Sequence, residues 1–275
     1  MSQNFSNNFA EIFYERIELI IQDQVAHVTM KRAEKLNALD LAMMKGLKKA
    51  AQIIKKDKSI RAVLLSGDGS SFCAGLDFSS VMSKPWKVIV ALFKYGKQTN
   101  LFQEVAWCWR NMPVPVIALT KGNCFGGGMQ IALGADFRFS AADCRFSVME
   151  GKWGLIPDMT ASVTLRELVG IDVAKELTMT ARIISAQEAK NYGLITRICD
   201  NPDQEALELI EEIKLRSPDS VALTKELFHR TWNAKTRWAF AIETWLQVKL
   251  LLGKNQKIAM QANFKKINAK YLSRR

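Results

Sequence analysis

The residues of this 275-residue chain best suited to acid-base work fall in one stretch of its middle. The run Gly126-Gly127-Gly128 precedes Met129 to Leu133 and opens a predicted helix with three residues that put no side chain between backbone and ligand. N–H groups in a helix's first turn have no intrahelical acceptor, and the helix dipole adds to their pull on a developing negative charge. One such donor is typically worth roughly 3–4 kcal/mol to an oxyanionic transition state. A flexible turn is the plain alternative for a glycine run. Downstream, Glu150 closes the alternating stretch Phe146 to Met149, and Asp158 follows Pro157 in a turn before the next helix. Taken singly, Glu150 reads as a surface charge and Asp158 as a helix N-cap. Met149 and Trp153 to Ile156 flank both, however, and apolar surroundings raise a carboxyl pKa into the range where it can trade protons.

Other chemistries find little support. Neither glycine run is a G-x-x-x-x-G-K-[ST] phosphate loop or the G-x-G-x-x-G of a dinucleotide site, and G-x-S-x-G does not occur. His27 in a predicted strand and His229 in a late predicted helix read as structural histidines. No Cys, His and carboxylate spacing suits a metal, so no cofactor is expected. The five cysteines form no C-x-x-C pair and sit among apolar neighbours, as buried thiols of a reducing compartment do.

The elements that must hold these residues are legible as alternating strands, turns and helices. Ile17 to Ile21 and Val25 to Met30 are β-rich runs joined by Gln22, Asp23 and Gln24, a predicted hairpin. Apolar residues recur at helical spacing from Ala38 to Lys56. Ala62 to Leu65 and Val114 to Leu119 are short continuous apolar runs, the pattern of strands buried on both faces, and each leads into a glycine turn. Ligands collect at the C-terminal ends of such strands. Phe137 to Ser140 and Arg145 to Val148 alternate like strands, and from about Ala161 the pattern is largely helical. The expected division is an α/β core over 1–200 and a helical region over 201–275.

At 48% hydrophobic and 24% charged, the chain has the composition of a globular protein. Its N-terminus lacks a basic start followed by an apolar stretch, and no eighteen apolar residues run together, so neither a secretory signal nor a membrane span is expected and the cytoplasm is the expected location. The formal charge of +12 is uneven: after Glu243 come eight Lys or Arg and no acid, a candidate anion site or a solvated face.

Taken together, KRAEKLNAL (Lys31 to Leu39), SFCAGLDF (Ser71 to Phe78), PVPVIALTKGNCFGGGMQIALGADFRFS (Pro113 to Ser140), FSVMEGKWGLIPD (Phe146 to Asp158) and TARIISAQEAKNYGLITRI (Thr180 to Ile198) resemble the crotonase superfamily of enoyl-CoA hydratases and isomerases. The resemblance implies an α/β fold, a ββα spiral core with a helical C-terminal region that builds trimers or dimers of trimers. It implies a thioester oxygen held between the N–H groups of Leu76 and Gly127. Coenzyme A would enter as part of the acyl substrate, running along Lys35, Asn37, Ala38, Ala74 and Asp77, with Lys266 or Lys270 meeting its phosphates. Trp86, Trp107 and Trp109 fall where such enzymes shape the acyl pocket, although core packing also accounts for them.

Departures from the family pattern matter as much. Many hydratases carry a glutamate where this chain has Gln130, paired with a second glutamate that is kept here as Glu150. An amide cannot accept a proton in this pH range, which counts against a two-glutamate hydration. Asp158 stands where members resembling dienoyl-CoA isomerases carry an acid, although their residue at the Gln130 position is itself acidic. Ala33 replaces a frequent proline. The expectation is an acyl-CoA enzyme of hydratase or isomerase type, with Glu150 as principal acid-base group, Asp158 assisting and Gln130 beside them. Isomerisation without hydration is one alternative. The other is a non-catalytic RNA-binding or scaffolding member, which the scarcity of aromatic residues along the basic tail weakens.

Overall fold

The computed structural model describes residues 9–83, 85–94, 96 and 98–275. The first eight residues, part of the stretch read above as lacking a secretory signal, lie outside them. Strands β1 (Phe9–Phe13), β2 (Ile17–Gln22) and β3 (Val25–Met30) form an antiparallel meander. Its two connections, Tyr14-Glu15 and Asp23-Gln24, both place consecutive non-glycine residues at positive φ, the twist that matches paired strands. Helix α1 (Leu41–Lys56) begins three residues later than the periodicity suggests. The side chain of Asp40 caps it by accepting the Met43 N–H at 2.7 Å, while Leu39 is drawn out of the helix into a bridge with Leu76.

Then come β4 (Ala62–Gly67), the short helices α2 (Phe78–Met82) and α3 (Pro85–Leu92), α4 (Leu101–Arg110), β5 (Val116–Thr120), β6 (Asn123–Phe125), α5 (Gly127–Leu133), β7 (Phe137–Ser140) and β8 (Arg145–Ser147). The chain continues through α6 (Ala161–Leu168), α7 (Ile171–Thr180), β9 (Ile184–Ser185), α8 (Ala186–Asn191) and β10 (Arg197–Ile198). Four C-terminal helices close it: α9 (Pro202–Lys214), α10 (Pro218–Thr231), α11 (Thr236–Leu251) and α12 (Lys254–Lys265).

The large sheet runs β1-β2-β3-β4-β5-β7-β10, parallel from β3 onward, and a small sheet runs β6-β8-β9. Successive turns of chain put one strand in each layer: β5 then β6, β7 then β8. The turn after β4 joins the small layer through the bridge of Cys73 to Cys124 and through Ser71 Oγ, which accepts from Asn123. This is the ββα spiral. Its main core lies under α1, α4 and α5, where Leu47, Trp109 and Ile131 are fully buried. The other face of the large sheet is covered by α9, whose Ala206 and Ile210 pack on Leu64, Ile117 and Phe139. Burial on both faces explains why β4 and β5 read as continuous apolar runs rather than alternating ones. The division expected at residue 200 falls between β10 and α9. No helix among the described residues is long and apolar enough to cross a membrane.

Candidate active site

Two turns face each other at the ends of β4 and β6. At Gly126 the chain leaves β6 with φ +49° and ψ −123°, a conformation barred to residues with a β-carbon, and enters α5. The Gly126 N–H donates to Ser147 and its carbonyl accepts from Gln130, but the N–H of Gly127, the first helical residue, has no acceptor among the described residues. On the opposite turn, Gly75 takes φ +96°. Its carbonyl accepts the Leu39 N–H at 2.8 Å and the Asp77 N–H donates to Leu39 O at 3.0 Å, so the flanking groups are spent on one side. The Leu76 N–H points the other way and is likewise without an acceptor among the described residues. Leu76 and Gly127 line one cavity of about 430 Å³.

Glu150 sits in a 3-10 turn after β8 and Asp158 in the turn before α6, and both line that cavity. Asp158 is not the cap of α6, a place taken by Thr160. Between the two acids lies Gln130, 1% exposed. Its Oε1 accepts the N–H groups of Met159 at 2.9 Å and Ala161 at 3.1 Å, and its Nε2 donates to Glu150 Oε1 at 2.6 Å. Two backbone donors fix which end of the amide is which. The other carboxylate oxygen, Glu150 Oε2, is buried and unpartnered. Burial pushes the Glu150 carboxyl above its ordinary value and the nearby Asp158 adds to the rise, against opposing bonds from the Gln130 amide and its own backbone. Partial desolvation raises Asp158 as well.

The far wall is apolar: Phe78, Val81, Val88, Leu92, Phe102 and Trp153, with the rings of Phe78 and Trp153 centred 4.4 Å apart. The tryptophans expected there are elsewhere. Trp109 is fully buried in the core, Trp107 does not reach the cavity, and Trp86 projects from α3 at 63% exposure. Trp153 takes that part, a residue noticed in the sequence only as an apolar neighbour of Glu150.

The residues expected along coenzyme A divide into two groups. Lys35 is exposed in a 3-10 turn, and Ala74 lines the cavity. Ala38 carries its carbonyl to Arg32 Nη1 at 2.9 Å. Asn37 is fully buried: its side chain accepts the Arg32 N–H and donates to the carbonyls of Asp68 and Ser71, which ties this loop to the turn after β4 and leaves no group for a ligand. Asp77 caps α2 and pairs with Arg32 at 2.8 Å. Burial alone would raise its carboxyl, but Ser79, Ser80 and Arg32 outweigh it and hold the value down to about 2. Arg32, overlooked in the sequence, joins both loops. Lys266 and Lys270 are exposed beyond α12 and neither lines the cavity.

Fold and cleft together are those of a crotonase-like enzyme. The family model for enoyl-CoA hydratase/isomerase matches residues 20–274, and the chain belongs to that family. It is 32% identical over 234 residues to enoyl-CoA hydratase EchA19 of Mycobacterium tuberculosis, covering 84% of this chain and 86% of that one. It is also 32% identical over 222 residues to the mitochondrial Delta(3,5)-Delta(2,4)-dienoyl-CoA isomerase of Rattus norvegicus, covering 77% and 68%. Among solved structures, a putative enoyl-CoA hydratase from Streptomyces coelicolor A3(2) superposes with a TM-score of 0.87 at 27% identity, over 100% of both chains.

Proposed function

We propose that this enzyme relocates a double bond in an unsaturated acyl-CoA by moving a proton between Glu150 and Asp158. The thioester oxygen lies between the Leu76 and Gly127 N–H groups, which favour the enolate over the neutral ester and so acidify the neighbouring C–H. One carboxylate removes a proton from carbon. The other acid returns a proton to a different carbon of the delocalised enolate, and the pair ends with its charges exchanged. No water enters the product.

The observation that carries this reading is the state of Gln130. Its carbonyl is taken by two backbone N–H groups and its amide N–H by Glu150, so the position offers neither a second carboxylate nor a free acceptor to hold an attacking water. Gln130 is on this reading a positioning residue: it holds Glu150 Oε1 and leaves Oε2 as the oxygen without a hydrogen-bond partner. The second acid on the cavity is Asp158 instead. Hydration is the second reading, favoured by the hydratase names among the relatives and by Glu150 Oε2, whose lone pairs are not taken by any protein donor among the described residues.

A panel of enoyl-CoA and dienoyl-CoA thioesters in H2(18)O, followed by mass spectrometry, separates the two. Isomerisation leaves product mass unchanged and moves the double bond, whereas an 18O-labelled hydroxyacyl product overturns the proposal in favour of hydration.

A further inference from the structure

A second cavity, about 630 Å³, lies between the end of α4, helices α10 and α11 and the closing residues of the chain, and shares no lining residue with the first. Seven Lys or Arg line it against two acids, Asp219 and Glu226. Three of the cations are already matched: Arg110 with Glu167, Lys225 with Asp136 and Arg230 with Glu226. The other four, Lys55, Lys249, Arg274 and Arg275, have no carboxylate within ion-pair distance among the described residues. Against them stands Asp219, whose oxygens accept from Asn255 Nδ2 and the Arg275 N–H.

Arg274 is the telling member. It is 6% exposed, its Nη2 reaches only the Asp57 carbonyl at 3.4 Å, and its Nε has no partner. A buried guanidinium so poorly partnered is costly, and because Arg274 lines the cavity an anion seated there would offset its charge. His229 on the same wall is held down to about 4, by burial first and then by Arg110 and Lys225, against the opposing charge of Asp136.

We infer that this cavity binds a compact phosphate-bearing metabolite, with its oxygens on Arg274 and the exposed ammonium groups of Lys55 and Lys249 closing the charge balance. Planar forks and flexible point charges together suit an anion with several oxygens, and the volume exceeds what a single phosphate fills. The site stands apart from the acyl cavity, although α4 touches both, through Phe102 at one end and Arg110 at the other.

The test is calorimetric titration of the full chain, in its native assembly, with inorganic pyrophosphate. One saturable event per chain is expected, weakening as salt rises and unchanged by saturating coenzyme A. In the Lys55→Glu/Lys249→Glu variant, both positions being exposed and outside the catalytic machinery, affinity should fall at least tenfold. A Lys266→Glu/Lys270→Glu control should bind as the parent does. Absence of saturable binding, which is also the outcome if a second copy of the chain fills the cavity, overturns the inference. So does undiminished binding by the Lys55/Lys249 variant, or displacement by coenzyme A, which would put the anion in the acyl-CoA site. None of these readouts depends on which reaction the first cavity catalyses.

Discussion

Glu150 is held in a state that costs the folded protein and that, on the proposed mechanism, would serve proton transfer. Its Oε2 is buried without a partner, and its carboxyl binds a proton more tightly folded than unfolded. Over the interval between those two values the native state carries more protons, so this group's contribution makes the protein less stable as pH rises through it. Glu150→Gln removes that penalty together with the proposed proton carrier. The expected result is a drop in kcat of about 10²–10⁴-fold, typical of losing a general acid-base group, with a melting temperature equal to or above the parent's at neutral pH. Unchanged turnover on every enoyl and dienoyl thioester would remove Glu150 from the mechanism. The pair also predicts a pH signature. Asp158 raises Glu150 by like-charge repulsion, so Asp158→Asn should shift the acid limb of the kcat/KM profile to lower pH while reducing kcat. An acid limb that stays in place would mean the two carboxyls do not sense each other.

At the scale of elements, the site depends on how firmly two loops are tied. The turn that aims the Leu76 N–H is held by Asn37, whose side chain spans from Arg32 to Asp68 and Ser71. Asn37→Ala leaves an N–H and two carbonyls short of partners, and unmet buried polar groups cost about 1–3 kcal/mol each, with imperfect additivity. We expect a lower urea midpoint at unchanged m-value, a loss of about 2–4 kcal/mol, and a fall in kcat/KM beyond what the unfolded fraction explains. A stability loss with full activity in the folded fraction would leave the loop structural only. These ties also mark the limit of reading the sequence. The hairpin, the buried strands and the helix behind Gly126 were legible because period and turn chemistry are local. The pairing of Asn37 with Ser71, or of Gln130 with Met159, joins residues about thirty positions apart, and only the spiral brings them together. For the same reason Trp153, rather than Trp86, Trp107 or Trp109, forms the pocket wall. Aromatic residue type signals burial without saying against what.

The whole molecule presents a conflict between its charge and its surface. A formal +12 repels other copies, yet the C-cap of α10 exposes Trp232 at 62%, and α11 and α12 expose Trp238 at 66%, Phe240 at 61% and Phe264 at 81%. Burying one large apolar side chain is worth about 1.5–3 kcal/mol, so several per copy outweigh a repulsion that acts through water and falls off within about 10 Å at 0.1 M salt. Large exposed apolar patches of this kind mark protein contacts, and head-to-tail contacts between two different patches close into a ring such as a trimer, which can pair into a hexamer. Light scattering should therefore find three or six chains per particle, and added salt should tighten the assembly by screening the charge. That sign also separates self-association from RNA binding by the basic tail, which salt would weaken steeply. Trp238→Glu combined with Phe240→Lys should release smaller species, with helical content preserved because both side chains already face solvent. A parent chain that is monomeric at working concentration, or an assembly that dissolves as salt rises, would show that these aromatics are covered by something other than another copy.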